Sequence, residues 1–207
     1  MRIVALALAA ILVGGASAAT RAAPEFSARV ERVRWDDLRH SYRAGCPVGP
    51  EQLRALRVSY WGFDGKPRTG SIVVARTAAE DIVGVFRQLW AERFPIRRLQ
   101  PVSAFRGSDD ASMEADNTSG FNCRFVGATT RWSMHAYGAA IDVNPVENPY
   151  VQGGYVSPPA GRAYVGRSRY RQGMALRNGP LVRAFASVGW KWGASFGDYQ
   201  HFSTTGR

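Results

Sequence analysis

Long apolar runs are scarce in this chain of 207 residues. The one uninterrupted stretch, Ile3 to Val13, holds about 11 residues, short of the roughly 20 that a membrane-spanning helix requires. No later segment matches it, so a soluble mature protein with no stable membrane span is expected. Lys and Arg total 27 yet never form a run of five. No nucleic-acid-binding motif is present either, and together with the export signal described below this argues against a nucleic-acid partner. Internal repeats and low-complexity tracts are absent, which leaves an ordinary globular domain. Cysteine is limited to Cys46 and Cys123. These two thiols admit a mutual bridge, two free buried thiols or metal ligation, and composition does not choose among them. Histidine is limited to His40, His135 and His201, so each can be weighed by itself.

What is present at the start reads as a secretory signal peptide over residues 1–18. Met1-Arg2 is a short basic opening, the apolar run follows, and Ala16-Ser17-Ala18 supplies the small-x-small cleavage pattern. An uncleaved anchor is the alternative. Cleavage leaves about 189 residues, the size of one domain with a proper core. Loss of Arg2 takes the net charge from +11 to +10. In an exported protein such a field points toward anionic cell-envelope polymers, or to nothing more than a basic surface.

Residues 19–50 carry Pro24, Gly45, Pro47, Gly49 and Pro50 and read as a linker and loop-rich lead-in with one helix around Arg29 to His40. Residues 51–207 read as the folded domain. Apolar residues recur from Leu53 to Trp61 and again from Ser71 to Ala75, and the Asp64-Gly65 break between them signals a β-hairpin. Thr77 and Glu80 have the spacing of a capping box. Behind them Ile82, Val85, Phe86, Leu89 and Trp90 fall on one helix face. Pro95 ends that helix, Ile96 to Phe105 reads as a strand, and Gly107 to Gly120 as a polar loop. Gly179-Pro180 opens a second short helix, with Leu181, Val182 and Phe185 inward, that stops near Gly189. Trp190 to Ser203 reads as two short strands. The sum is an α+β single domain, a central antiparallel sheet flanked by helices.

His135 stands in Ser133-Met134-His135-Ala136-Tyr137-Gly138-Ala139-Ala140-Ile141-Asp142. Asp142 lies in a small-apolar run that resembles a buried strand, where an unpaired carboxylate would be very costly. His201 lies in Asp198-Tyr199-Gln200-His201-Phe202. Two imidazoles and one carboxylate suit a catalytic zinc whose fourth position is left to water. Taken singly, each of these two histidines reads more readily as a hydrogen-bonded core residue, and Asp142 as a turn cap. His40, beside Arg39 and Tyr42, reads as a surface residue. Trp132, Tyr137, Trp190 and Trp192 flank these motifs and read mainly as packing. The sequon Asn117-Thr118-Ser119 would accept a glycan only in a eukaryotic secretory pathway and reads as a loop at the cleft.

Taken whole, Ser133 to Asp142 resembles the S-x-H-x-x-G-x-A-x-D element of the M15 metallopeptidases, and Asp198-Tyr199-Gln200-His201 resembles their later acid-x-x-H element. Asn117 to Arg124, Asn144-Pro145 with Asn148-Pro149-Tyr150, and Gly189 to Gly193 resemble an exported carboxypeptidase-type branch. The resemblance implies a fold shared by D,D-peptidases and the hedgehog signalling domain. It also implies one zinc ion on His135, Asp142 and His201, with Asp198 as general base. Arg124 or Arg106 would grip the substrate carboxylate or the developing oxyanion, and Ser133 would contact substrate. The implied reaction is hydrolysis in peptidoglycan stem peptides, foremost removal of the terminal D-alanine, by a monomer in the periplasm or outside the cell. An endopeptidase cutting L-Ala to D-Glu or a cross-bridge, and a non-catalytic wall-binding protein that keeps zinc, are the alternatives.

Overall fold

A computed structural model describes residues 23–206, so the expected signal peptide, residues 1–18, lies outside the described residues. Ala28–Arg32 is a strand, β1, where the sequence suggested helix; only Trp35–Leu38, α1, is helical. The reason is tertiary. β1 pairs antiparallel over its whole length with the next strand, from Ala28 opposite Val58 to Arg32 opposite Arg54. Such a ladder satisfies its backbone groups, whereas a helix here would have lacked an apolar face to bury. The expected hairpin forms from β2, Leu53–Trp61, and β3, Pro67–Ala75. Gly65 closes its turn at φ +70°.

The helix α2, Ala79–Ala91, buries Ile82, Val85, Phe86 and Leu89, and Trp90 stacks on Trp61 at 4.6 Å between ring centroids. The expected Thr77 to Glu80 capping box does not form. The chain enters through a 3-10 turn, Arg76–Ala78, and Ala78 takes the cap position with helical angles, so Thr77 is not in the extended conformation that capping requires. Past Pro95 only Arg98–Leu99, β4, is strand. Pro101 has no N–H to continue the ladder, and a 3-10 turn, Val102–Phe105, follows.

The polar stretch after it is more ordered than its composition suggests. Ser108 caps α3, Asp109–Glu114, by accepting the Ala111 N–H at 3.1 Å, with Asp109 and Asp110 in the favourable first turn. Asn117–Thr118, β5, runs parallel to β4. The sequon therefore lies in the interior and not in a loop: Asn117 is fully buried, exchanges hydrogen bonds with the Gln100 backbone, and donates to Ser112 Oγ.

The remaining strands are β6, Ala140–Asp142; the hairpin β7, Tyr150–Gln152, with β8, Tyr155–Ser157; and, after the helix α4, Pro180–Ala186, β9, Lys191–Trp192, and β10, His201–Ser203. The α+β reading holds, yet the strands make two three-stranded antiparallel sheets, β1-β2-β3 and β6-β10-β9, in place of one central sheet. A short bridge joins them. Ser119 and Asp142 exchange backbone hydrogen bonds of 3.0 and 2.9 Å, and the Phe121 N–H donates to Val73 O at 2.7 Å. Gly120 lies between these anchors, where a Cβ would overlap Val73 O and come within 3.1 Å of Ile72 Cγ1. Leu56, Val58, Ile72 and Val74 of the hairpin, the inner faces of α2 and α4, and Ile141 and Phe202 of the second sheet share one core. Cys46 and Cys123 are bridged across 77 residues with Cα atoms 5.9 Å apart, which ties the lead-in to the chain beside the bridge.

Candidate metal centre and cleft

His135 sits on a 3-10 turn, Met134–Tyr137, and the two motif residues that flank it, Ser133 and Gly138, have local jobs. The Ser133 hydroxyl caps the turn by accepting the His135 N–H at 3.3 Å. Gly138 leaves the turn at φ +66°, so close to β3 that a Cβ would meet Ala75 N at 2.5 Å, and its carbonyl accepts the Ala75 N–H at 2.8 Å. The chain then enters β6, where Asp142 stands directly opposite His201 of β10. Opposed residues in an antiparallel pair project to the same face. Sequence spacing of 59 residues is thus reduced to one cross-strand pair.

All three side chains are buried, and their ligand atoms lie within 4.8 Å of one another. His135 Nδ1 donates to Gly120 O at 2.7 Å. Since a carbonyl can only accept, this bond keeps the His135 proton on Nδ1 and turns the Nε2 lone pair inward. Nε2 there faces Asp142 Oδ2 at 3.1 Å and His201 Nδ1 at 3.3 Å, while His201 Nδ1 is 3.0 Å from Asp142 Oδ1. Three electron-rich atoms converging in the interior repel unless a cation lies among them. Two imidazoles and a carboxylate match the donor set of a catalytic metal, and the group could hold a metal ion. Burial alone would push Asp142 up; without a cation among the three, the charge and then the hydrogen bonds of protonated imidazoles at His135 and His201 would outweigh it and hold the carboxylate well below its ordinary range, a role that a bound metal ion would take over from the neutral rings.

The cluster lies in a cleft of about 710 Å³, which Asp198, Ser133 and Arg124 also line. Asp198 immediately precedes Tyr199 and the β10 approach; burial, and next the charge of Asp142, push its carboxyl up to about 7 against the pull of His201, His135 and Arg124. Its Oδ1 is buried without a hydrogen-bond partner. Arg124 reaches the cleft but is engaged by Asp109 of α3 at 2.9 Å. Arg106 does not reach it. It ends the Val102–Phe105 turn in a left-handed conformation and is exposed, outside the cleft lining, so its expected place beside substrate is corrected. His40 is exposed as expected.

Of the four flanking aromatics none lines the cleft. Trp132 stacks on Phe125 at 4.0 Å, Trp190 and Trp192 pack on the main core, and Tyr137 is turned outward. Tyr150, Tyr155 and Phe196 line one part of the cleft instead, and Asp109, Met113 and Gln200 another. Sequence reasoning missed these, and only Tyr150 carried a signal, through its place in Asn148-Pro149-Tyr150. That motif and Asn144 serve as struts. Asn144, at φ +46°, donates to Pro95 O and Gly173 O and accepts the Arg97 N–H. Asn148 donates to Val143 O and Gly173 O and accepts from Ala175 N–H and Arg167.

An α+β domain that gathers two buried imidazoles and a buried carboxylate on one point in an open cleft, with an ionisable acid alongside, has the donor set and the access of a metal site suited to chemistry on a bound ligand. Residues 126–204, a segment that holds Ser133, His135, Asp142, Asp198 and His201, match the family model described as D-alanyl-D-alanine carboxypeptidase and are in that respect similar to M15 peptidases. Arg124 lies two residues outside the match. Neither a curated protein nor a solved structure gives a match to the chain.

Proposed function

We propose that the protein is an exported zinc peptidase that removes the terminal D-alanine from peptidoglycan stem peptides. The observation that carries this reading is the convergence of His135, Asp142 and His201 beside Asp198 in one cleft, within the segment that matches the carboxypeptidase family. A zinc ion on the three ligands would supply Lewis acidity toward water and the scissile carbonyl. Asp198 accepts the proton of the attacking water and returns it to the leaving amine, a task suited to a carboxyl whose affinity for protons has been raised by burial. Arg124 offers a planar fork for the D-alanine carboxylate, which must displace Asp109 to claim it. Ser133 acts through His135, whose turn it caps.

The test offers purified mature protein, loaded with zinc, a panel of stem pentapeptides and intact muropeptides. Release of free D-alanine that chelator abolishes and zinc restores is the expected result. Mass spectrometry of the products separates this from cleavage at L-Ala to D-Glu or at a cross-bridge. Absence of any product from every muropeptide would sink the enzymatic reading and leave a wall-binding protein.

A further inference from the structure

Between Glu147 and Asp198 the chain runs through fifty residues, 148–197, without one carboxylate, while carrying Arg162, Arg167, Arg169, Arg171, Arg177, Arg183 and Lys191. Five of these cations fall in residues 162–177, and that segment folds back on itself. Arg171 donates to Ala163 O and lies 3.8 Å over the Tyr164 ring. Arg167 is the hub: it donates to Tyr164 O and Ala175 O, to Glu147 O at 2.7 Å, and lies 4.6 Å over the Tyr199 ring. The hub draws the two arms of the segment together. Arg162, Arg169 and Arg177 are exposed, and among the described residues none of the three has an ion pair or a side-chain hydrogen bond. Tyr170, next to Arg169 in the chain, is 57% exposed. Elsewhere some exposed cations are answered by a carboxylate, as Arg183 is by Glu92 at 2.7 Å and Arg68 by Asp64 at 3.1 Å, and others stand singly. Residues 162–177 differ in gathering five cations on a stretch of chain with no carboxylate of its own.

Holding several like charges on one folded segment with no counter-charge costs energy through their mutual repulsion. A ligand of opposite charge and extended form relieves that cost. Guanidinium groups fit phosphodiester oxygens bidentately, and separated arginines suit a flexible chain of spaced anions better than a single compact one. We infer that residues 162–177 form a docking surface for a phosphodiester-linked anionic polymer of the cell wall. The segment follows β8, whose Tyr155 and Ser157 line the cleft, so a polymer held there keeps the cleft mouth against the wall. The choice of a wall polymer rests on the proposed function, but retention requires no turnover, so the two can fail separately.

The experiment sediments the full mature protein with purified cell-wall sacculi, either retaining their phosphodiester polymers or stripped of them by hydrofluoric acid, across a series of salt concentrations. Three proteins are compared: wild type, the triple variant R162Q/R169Q/R177Q, and the control triple variant R29Q/R32Q/R76Q, with circular dichroism to verify folding. Wild type and control should bind polymer-bearing walls and be released by salt. The R162Q/R169Q/R177Q protein should bind about 10-fold or more weakly, with a log-log salt slope shallower by roughly 2, as expected when about three phosphate contacts are lost from a flexible polyanion. All three should release D-alanine from a soluble pentapeptide at the same rate. Equal retention of both triple variants, or equal binding to stripped and unstripped walls, would overturn the inference.

Discussion

Gly120 makes an unusually direct link between backbone sterics and metal binding. In Gly120→Ala the new methyl group overlaps Val73 O and approaches Ile72 Cγ1, so the bridge must retreat from β3 by about 1 Å, a displacement in the range that overpacked interiors resist. Neither flank is free to follow, because Phe121 is bonded to Val73 and Ser119 to Asp142. The strain should destabilise the protein by about 1–3 kcal/mol. It also moves the carbonyl that accepts from His135 Nδ1, and loss of such an orienting bond lowers metal affinity roughly 10–100-fold. Denaturant unfolding in excess chelator isolates the first effect, and competitive metal titration of the folded protein measures the second. Gly84→Ala is the control: it lies within α2 with open space around its Cα, so the same substitution should stabilise by about 0.5–1 kcal/mol. Wild-type stability together with wild-type metal affinity in Gly120→Ala would refute the reasoning.

Three further outcomes are expected. Asp198→Asn should keep its metal, measured by elemental analysis, while turnover falls by about 10²–10⁴-fold; in the active protein the acid limb of the rate profile should lie below pH 7, because a nearby metal cation favours the carboxylate that burial and the Asp142 charge otherwise push up to about 7. Glu147, driven up to about 8 by burial and then by neighbouring Asp116 against the pull of Arg97, binds its proton more tightly folded than unfolded, so its contribution to stability is full below its ordinary range and is lost as pH rises toward 8. Glu147→Gln should flatten that decline in thermal melts, and an unchanged slope would contradict it. Paired Cys46→Ser and Cys123→Ser substitution should cost about 4.5 kcal/mol, the loop-closure value for a crosslink of this span, read as a lower denaturation midpoint.

Legibility in the sequence followed how local each cause was. The β2 to β3 hairpin and α2 announce themselves because alternation, Asp64-Gly65 and the 3.6-residue spacing from Ile82 to Leu89 are short-range patterns. β1 escaped notice because its partner, not its composition, makes it a strand: Val30 and the arginines around it extend only where β2 offers an edge. α3 was signalled by Ser108-Asp109-Asp110, a capping pattern that its polarity disguised as loop. At the site, His135, Asp142, Asp198 and His201 were legible as motif letters, whereas Gly120 O and the Tyr155 wall were not. A carbonyl has no side-chain signature, and Tyr155 reaches the cleft through the placement of an entire hairpin. Arg106 failed for a related reason, since the number of arginines gives no direction to any one of them.

The opposition of Asp142 and His201 has a further consequence. β6 and β10 pair over three residues only, a length that leaves alignment weakly enforced, and sliding one strand by a single position would send one of the two side chains to the far face. A misaligned sheet therefore offers the metal two ligands at most. An ion bound by the three residues would proofread the pairing, selecting the correct alignment over its neighbours at the moment of assembly. Chains refolded in chelator should accordingly include a fraction that late addition of zinc fails to activate, and no such fraction should follow refolding in its presence.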